Sequence, residues 1–162
     1  LISFEYNKML NTSEILLNKE VMDYQIRLPD IDEIVSQIAA KPLIRKAMVD
    51  RQKKLGLEKK MVMDGRDIGT IVFPDAALKI FMTADLHIRS ERRQKELEEQ
   101  GIQVSIEEIK RNLAKRDDLD VNRFESPLVK AKDAITLDSS YLTLEDQVKK
   151  IVDIAKKIIH EG

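Results

Sequence analysis

Three short apolar runs govern what this chain can become: "KKMVMD" at 59–64, "AALKIFMTA" at 76–84 and "DAITLD" at 133–138. Each is bounded by polar or turn residues, the pattern of strands buried in a parallel sheet. Long stretches with helical spacing or helical propensity separate them, and strands alternating with helices predict an α/β fold. Three strands are too few for a sheet covered on both faces. The chain also opens at Leu1 without a methionine, so a further strand and helix are expected to precede it.

Around these runs the elements can be placed from local chemistry. "LISFEY" and "SEILL" read as a small β segment broken at Asn11 to Ser13 and again at Asn18 to Glu20. Pro29 breaks the chain, and Asp30 or Asp32 can cap a helix with Ile34, Val35 and Ile38 on one face. Pro42 suits the first turn of a second helix through about Leu55, with Leu43, Ala47 and Met48 inward and Gly56 as its stop. "RSERRQKELEEQG", residues 89–101, is helical by propensity but has little apolar face and is expected to project into solvent. Ser105 opens a capping box, "SIEE", for the next helix. The last helix starts near Thr143, and its stripe of Leu144, Val148, Ile151, Ala155, Ile158 and Ile159 is expected to pack in the core.

Composition removes several functional classes. The 162 residues are 43% apolar and 35% charged with a net charge of −1, which argues against disorder and against a nucleic-acid footprint. No run approaches the ~18 apolar residues that span a bilayer, and no signal-peptide layout opens the chain, so a cytoplasmic protein is expected. With no cysteine and only His87 and His160, thiolate and histidine metal sets are excluded.

Three charged clusters then stand out. Asp64, Gly65, Arg66 and Asp67 follow the first apolar run, where an open α/β sheet gathers ligands. An acid there can orient water on magnesium and an arginine can fork onto phosphate oxygens; equally, an Asp-Arg pair can simply hold the turn. In "KRDDLDVNRF", residues 115–124, a helix would put Arg116, Asp120 and Arg123 on one face. Two guanidiniums beside a carboxylate can take a phosphate and a sugar hydroxyl together, although a solvated face laced by ion pairs has the same spacing. Arg89, Arg92 and Arg93 could deliver positive charge to a migrating phosphoryl group, or be solvated like most charge runs.

Taken together, "VMDGRDIGTIVFPDAALKIFMTA", "RSERRQKELEEQG", "KRDDLDVNR", "SPL" and "DAITLDSS" resemble the bacterial cytidylate kinases of the P-loop nucleoside monophosphate kinase group. "VSQIAAKPLIRKAMVDRQKK" is similar to the same family, and "LNKEVMDYQIR" resembles the end of its CMP-binding insert. The resemblance implies a P-loop kinase-type parallel sheet flanked by helices, lacking here its N-terminal strand and helix, with a β-containing nucleotide-binding insert and a helical lid. Its parts would be the insert's remainder at 1–30, core at 31–88, lid at 89–123, and core again at 124–162.

The implied reaction is Mg²⁺-assisted phosphoryl transfer from ATP to CMP or dCMP, in a monomer with small nucleotides as its partners and neither nucleic acid nor membrane among them. By the same resemblance Ser36 and Arg45 meet the cytosine, offering donors to its O2 and N3 acceptors. Asp64 serves the metal through water; Arg66 and Asp67 form the nucleotide-site pair, with Arg66 on the acceptor phosphate. Arg116 and Asp120 contact ribose and phosphates, and Arg123 assists at base and phosphate. Arg92 and Arg93 approach the ATP phosphates, and Arg66, Arg92 and Arg123 are the catalytic set.

Two departures accompany the resemblance. No G-x-x-x-x-G-K-[ST] phosphate loop occurs in the chain, which alone is therefore expected to be inactive. Leu119 stands where relatives often carry arginine, removing one lid charge. The competing readings are a nucleotide-binding or interaction module without a P-loop, and a related kinase that prefers UMP.

Overall fold

The computed structural model describes residues 2–9, 11–39, 41–58 and 61–161; within these, the side chains of Arg27, Pro29, Asp30, Asp32, Glu33, Ser36, Glu58 and Glu161 lie outside the description. The chain divides into two compact units, Leu1–Arg45 and Lys46–Gly162.

The first unit is a β meander followed by a helix. Strand β1 (Ile2–Asn7) pairs antiparallel with β2 (Thr12–Leu17), which pairs with β3 (Glu20–Val21). Asn18 and Lys19 join β2 to β3 with φ of 53° and 74°, the primed-turn geometry whose twist matches the flanking strands. Leu16 is the buried apolar anchor of this sheet. Asp23 folds back on it, its carboxylate accepting the Ile15 amide at 2.8 Å. Helix α1 (Pro29–Ala39) takes Pro29 into its first turn, where the missing N–H costs nothing, so the proline starts the helix instead of preceding a cap at Asp30 or Asp32. Helix α2 (Pro42–Leu55) has the bounds its proline and leucine predict. Its expected inward face is corrected: Leu43 is 84% exposed and Met48 and Ala47 are exposed too, while Arg45 and Val49 are half-buried. Periodicity marks an apolar stripe but does not say what covers it.

The second unit is built on two parallel strands, β4 (Ile80–Thr83) and β5 (Ile135–Asp138), with Leu137 buried between its neighbours. Lys79 fixes their entry. Its carbonyl accepts the Ile135 amide at 2.9 Å, and its side chain, almost wholly buried, reaches Asp133 at 2.6 Å and the Pro74 carbonyl. Two helices follow β4, namely α3 (Leu86–Glu99) and α4 (Ile106–Asn122). They pack together with Leu97 and Ile109 buried, so α3 does not simply project into solvent as its charge suggests. Asp85 caps α3 through the His87 amide at 2.7 Å, and Ser105 caps α4 through the Glu108 amide at 3.3 Å. Helix α5 (Leu144–Glu161) is capped by Thr143. Its expected core stripe is only half-buried, at Ile151 and Ala155, whereas Leu144, Val148, Ile158 and Ile159 are exposed.

The run at 61–64 is also corrected. Among the described residues it forms no ladder, and Val62 is fully exposed. Apolar composition favours a strand, but a strand exists only through its partner's hydrogen bonds.

Two outcomes follow from this packing. A Cβ on Gly56 would lie 2.2 and 2.3 Å from Phe73 Cε1 and Cζ, so Gly56→Ala must displace that ring. The expected cost is about 1–3 kcal/mol in urea unfolding, and an unchanged midpoint would show that Gly56 does not abut Phe73. The Asp133 carboxyl is held below its ordinary value near 3.8, chiefly by the hydrogen bond from Lys79. A depressed folded-state pKa stabilises above the unfolded value and loses that contribution as pH falls through the folded one. The stability gap between the unsubstituted protein and Asp133→Asn should therefore narrow on acidification from about pH 6 to about pH 3; a constant gap would remove the ion pair's role.

Candidate functional site

The segment after residue 64 turns sharply. Gly65 has room for no side chain, because a Cβ there would lie 2.8 Å from Ile68 Cγ1. Asp67 then caps a π turn over Ile68–Val72, its carbonyl accepting the Ile71 amide at 2.8 Å and, less directly, those of Thr70 and Val72 at 3.3 Å. Val72 is almost wholly buried and pins the turn from below. Single π turns concentrate at functional sites. The result is a sorted cluster: the Asp67 side chain is buried, while Asp64 and Arg66 are exposed.

Arg66 is met by the end of α4. Its Nε donates to Asp120 Oδ2 at 3.0 Å across 54 positions of sequence, and Arg123 Nη1 donates to Asp120 Oδ1 at 3.4 Å. Asp120 is 6% exposed, and a carboxylate taken that far from water requires compensating charge. Its backbone carbonyl also accepts the Leu128 amide at 2.7 Å, and the Ser126 carbonyl accepts from Arg123 Nε, so residues 124–128 fold back over the helix end. Ser126 enters the left-handed region, φ 51°, to make that return. Arg66 engages Asp120 through Nε among the described contacts and is 42% exposed; a guanidinium has five N–H donors, so capacity remains for an anion. Among the described contacts, one carboxylate thus lies between two guanidiniums. Arg116, one turn earlier on α4, is half-buried.

A second polar group lies at the carboxyl ends of the two strands. The Ser139 amide donates to the Thr83 carbonyl at 2.8 Å, and the Asp85 amide donates to Ser140 Oγ at 2.9 Å. Ser140 donates to Asp138 through Oγ and through its amide, and these bonds hold the Asp138 carboxyl below its ordinary value. Arg92 joins this group, donating from Nη2 to the carbonyls of Ser139 and Ser140. Arg93 pairs instead with Glu96 on its own helix at 2.9 Å.

The structure thus brings Arg66, Asp120 and Arg123 into one contact and engages Arg92 and Arg93 elsewhere. Arg45 lies in the first unit, donating from Nη1 to the Ala39 carbonyl at 3.1 Å. Ser36 lies on α1 by its backbone, its side chain outside the described residues. Ser139, Ser140 and Asp117 carry contacts that sequence reasoning did not single out; their signal was the strings "DSS" and "RDD" within motifs already noticed. No cluster of three or more histidine or carboxylate side chains suited to a metal occurs among the described residues. A lone exposed carboxylate at Asp64 nevertheless suits Mg²⁺, which keeps most of its waters and is held by one or two carboxylates plus substrate phosphates. No helix among the described residues is long and apolar enough to cross a membrane.

A family model described as cytidylate kinase matches residues 2–157. The chain is similar to the cytidylate kinase of Cytophaga hutchinsonii, with 47% identity over 154 residues that cover 95% of this chain and 66% of that protein. The cytidylate kinase of Flavobacterium johnsoniae is 42% identical over 158 residues, 98% of this chain and 69% of that protein. That of Clostridium botulinum is 41% identical over 151 residues, 93% and 70%. The chain spans about two thirds of the length of these relatives.

Removing the central carboxylate and removing its exposed partner should differ. Asp120→Ala is expected to lower stability by about 3 kcal/mol, because it removes one member of a buried ion pair with Arg123. Arg66→Ala, at a half-exposed position, should cost less than about 1 kcal/mol. Equal losses in urea unfolding would contradict the buried arrangement.

Proposed function

This chain belongs to the cytidylate kinase family, and from that premise we propose that the protein transfers the γ-phosphoryl group of ATP to CMP or dCMP, giving ADP and CDP or dCDP. The observation that carries the reading is Asp120, which joins Arg66 of "DGRDIGT" to Arg123 of "RDDLDVNR". The two most specific motifs of the sequence are thereby parts of one positive site.

Each residue's chemistry supports a role. Arg66 and Arg123 carry the charge that an acceptor phosphate requires, and guanidiniums present it as forked donors. Asp120 offers acceptor oxygens to ribose hydroxyls while orienting both arginines, and Arg116 on the same helix adds a further cation. Asp67 sets the turn that presents Arg66. Ser36 and Arg45, in the first unit, supply donors for the O2 and N3 acceptors of cytosine. Asp64 is assigned to Mg²⁺ through water, and the ion when bound would neutralise phosphate charge. Arg92 and Arg93 are assigned to the ATP phosphates, with 89–123 as the lid; for Arg92 this means exchanging the Ser139 and Ser140 carbonyls for phosphate oxygens.

In the transfer an oxygen of the CMP phosphate attacks the γ-phosphorus, and the bond to the β,γ-bridging oxygen breaks with its electron pair leaving on ADP. The protein contributes positioning and charge, which carry most of such a reaction. The insert's remainder is assigned to 1–30 and core to 31–88 and 124–162. Residues 1–162 alone are proposed to be inactive, since no phosphate loop occurs in them. The working form is proposed to be a cytoplasmic monomer.

The test is a coupled assay on the protein expressed from its complete reading frame, with CMP, dCMP, UMP and AMP as acceptors. ATP-dependent turnover should be fastest with CMP and dCMP. Turnover of AMP with none of CMP would overturn the proposal, and equal use of UMP would remove Ser36 and Arg45 as cytosine readers.

A further inference from the structure

Arg89 and Asp117 make a forked ion pair, yet neither has a place in the reaction above. Arg89 Nη1 meets Asp117 Oδ1 at 3.0 Å and Nη2 meets Oδ2 at 2.7 Å, a forked contact between α3 and α4. The third nitrogen of the same guanidinium, Nε, donates to the Ala84 carbonyl at 3.1 Å, one residue past β4. The next residue, Asp85, is tied through its amide to Ser140 beyond β5. A continuous set of hydrogen bonds therefore runs from the carboxyl ends of both strands, through one planar group, to the middle of α4. Planarity matters: with Nε and both amino groups engaged, the guanidinium defines an orientation for Asp117 and not merely a distance.

Asp117 follows Arg116 directly and precedes Asp120 by three positions, so whatever fixes its rotation about the helix axis also fixes theirs. We infer that Asp117 and Arg89 are positioning residues for the acceptor nucleotide, setting the rotation and height at which α4 presents Arg116, Asp120 and Arg123; the inference rests on the reading of that cluster as the CMP site. The neighbouring Asp118 supplies the contrast. It accepts from Asn122 at 2.7 Å within the same helix and ties α4 to nothing else among the described contacts. At a third to two fifths exposed, the Arg89–Asp117 pair is screened enough that its value lies in geometry more than in stability.

The experiment uses the protein from its complete reading frame, with KM for CMP and for ATP and kcat measured beside the thermal midpoint. Asp117→Ala and Arg89→Ala should each raise KM for CMP roughly tenfold while leaving kcat and KM for ATP within about twofold. The double variant should be no worse than either single one, because the two residues act as one unit. Asp118→Ala should match the unsubstituted protein. Should an alanine variant fail to fold, Asp117→Asn and Arg89→Lys carry the same expectation with a smaller rise, since each loses the fork and keeps one contact. A lowered thermal midpoint with unchanged KM for CMP would make the pair merely structural and overturn the inference, as would additive losses or equal rises in both KM values. Absence of CMP turnover in the unsubstituted protein would instead overturn the acceptor-site reading, and this inference with it.

Discussion

A carboxylate that is only 6% exposed stays ionised only if positive charge comes to it, and at Asp120 that charge comes from two directions. Arg123 is the extended residue that caps the C-terminus of the same helix, so its contribution is local. Arg66 arrives from a turn 54 positions earlier, and its arrival constrains everything between. The turn must place Arg66 outward while Asp67 goes in, which the cap on the π turn achieves. Residues 124–128 must fold back to satisfy the Asp120 carbonyl and the Arg123 side chain together. One buried anion thus couples the turn at 65–72, the end of α4 and the chain that leads on to β5.

The highly charged stretch between β4 and β5 acquires a different meaning in this light. Its three closely spaced carboxylates at 117, 118 and 120 go to three separate partners: Arg89 on α3, Asn122 on α4 itself, and the Arg66 and Arg123 pair. Within one turn of helix this assigns one acid to holding α3, one to the helix surface and one to the site. Charge density alone would suggest a solvated face. The partners show a helix whose sides are chemically distinct even though its composition is monotonous.

Legibility in the sequence followed the range of the interaction. Caps at Ser105 and Thr143 and the bounds of α2 were readable because each depends on residues within a turn or two. The strands β4 and β5 were readable from short apolar runs, but the run at 61–64 was not a strand, since its conformation depends on a partner that periodicity cannot supply. For the same reason the apolar faces of α2 and α5 were correctly located as stripes and wrongly buried at Leu43, Met48, Leu144 and Ile159. At the site, Arg116, Asp120 and Arg123 could be put on one face by counting, whereas the link to Arg66 could not. Nor could the preference of Asp117 for Arg89, 28 positions away, over the lysines and arginines nearer in sequence.

The arginines outside the Asp120 cluster differ from those within it in a way that bears on motion. Arg66 and Arg123 are held by a charged partner, the carboxylate of Asp120. Arg92 is exposed and is held by neutral carbonyls at Ser139 and Ser140. A phosphate oxygen adds to the hydrogen bond a Coulomb attraction that a neutral carbonyl lacks, so it would compete well for Arg92 and could not displace Asp120 from its arginines as readily. The two sets of cations are therefore unequal in mobility by their chemistry alone. On the proposed reading, charge at the acceptor side is held in place before a nucleotide arrives, whereas the charge of Arg92 can be redistributed by one. Arg89 stands between these cases: it lies on α3 with Arg92 but is bound to a carboxylate on α4, so releasing it would break a forked ion pair where releasing Arg92 breaks only bonds to carbonyls.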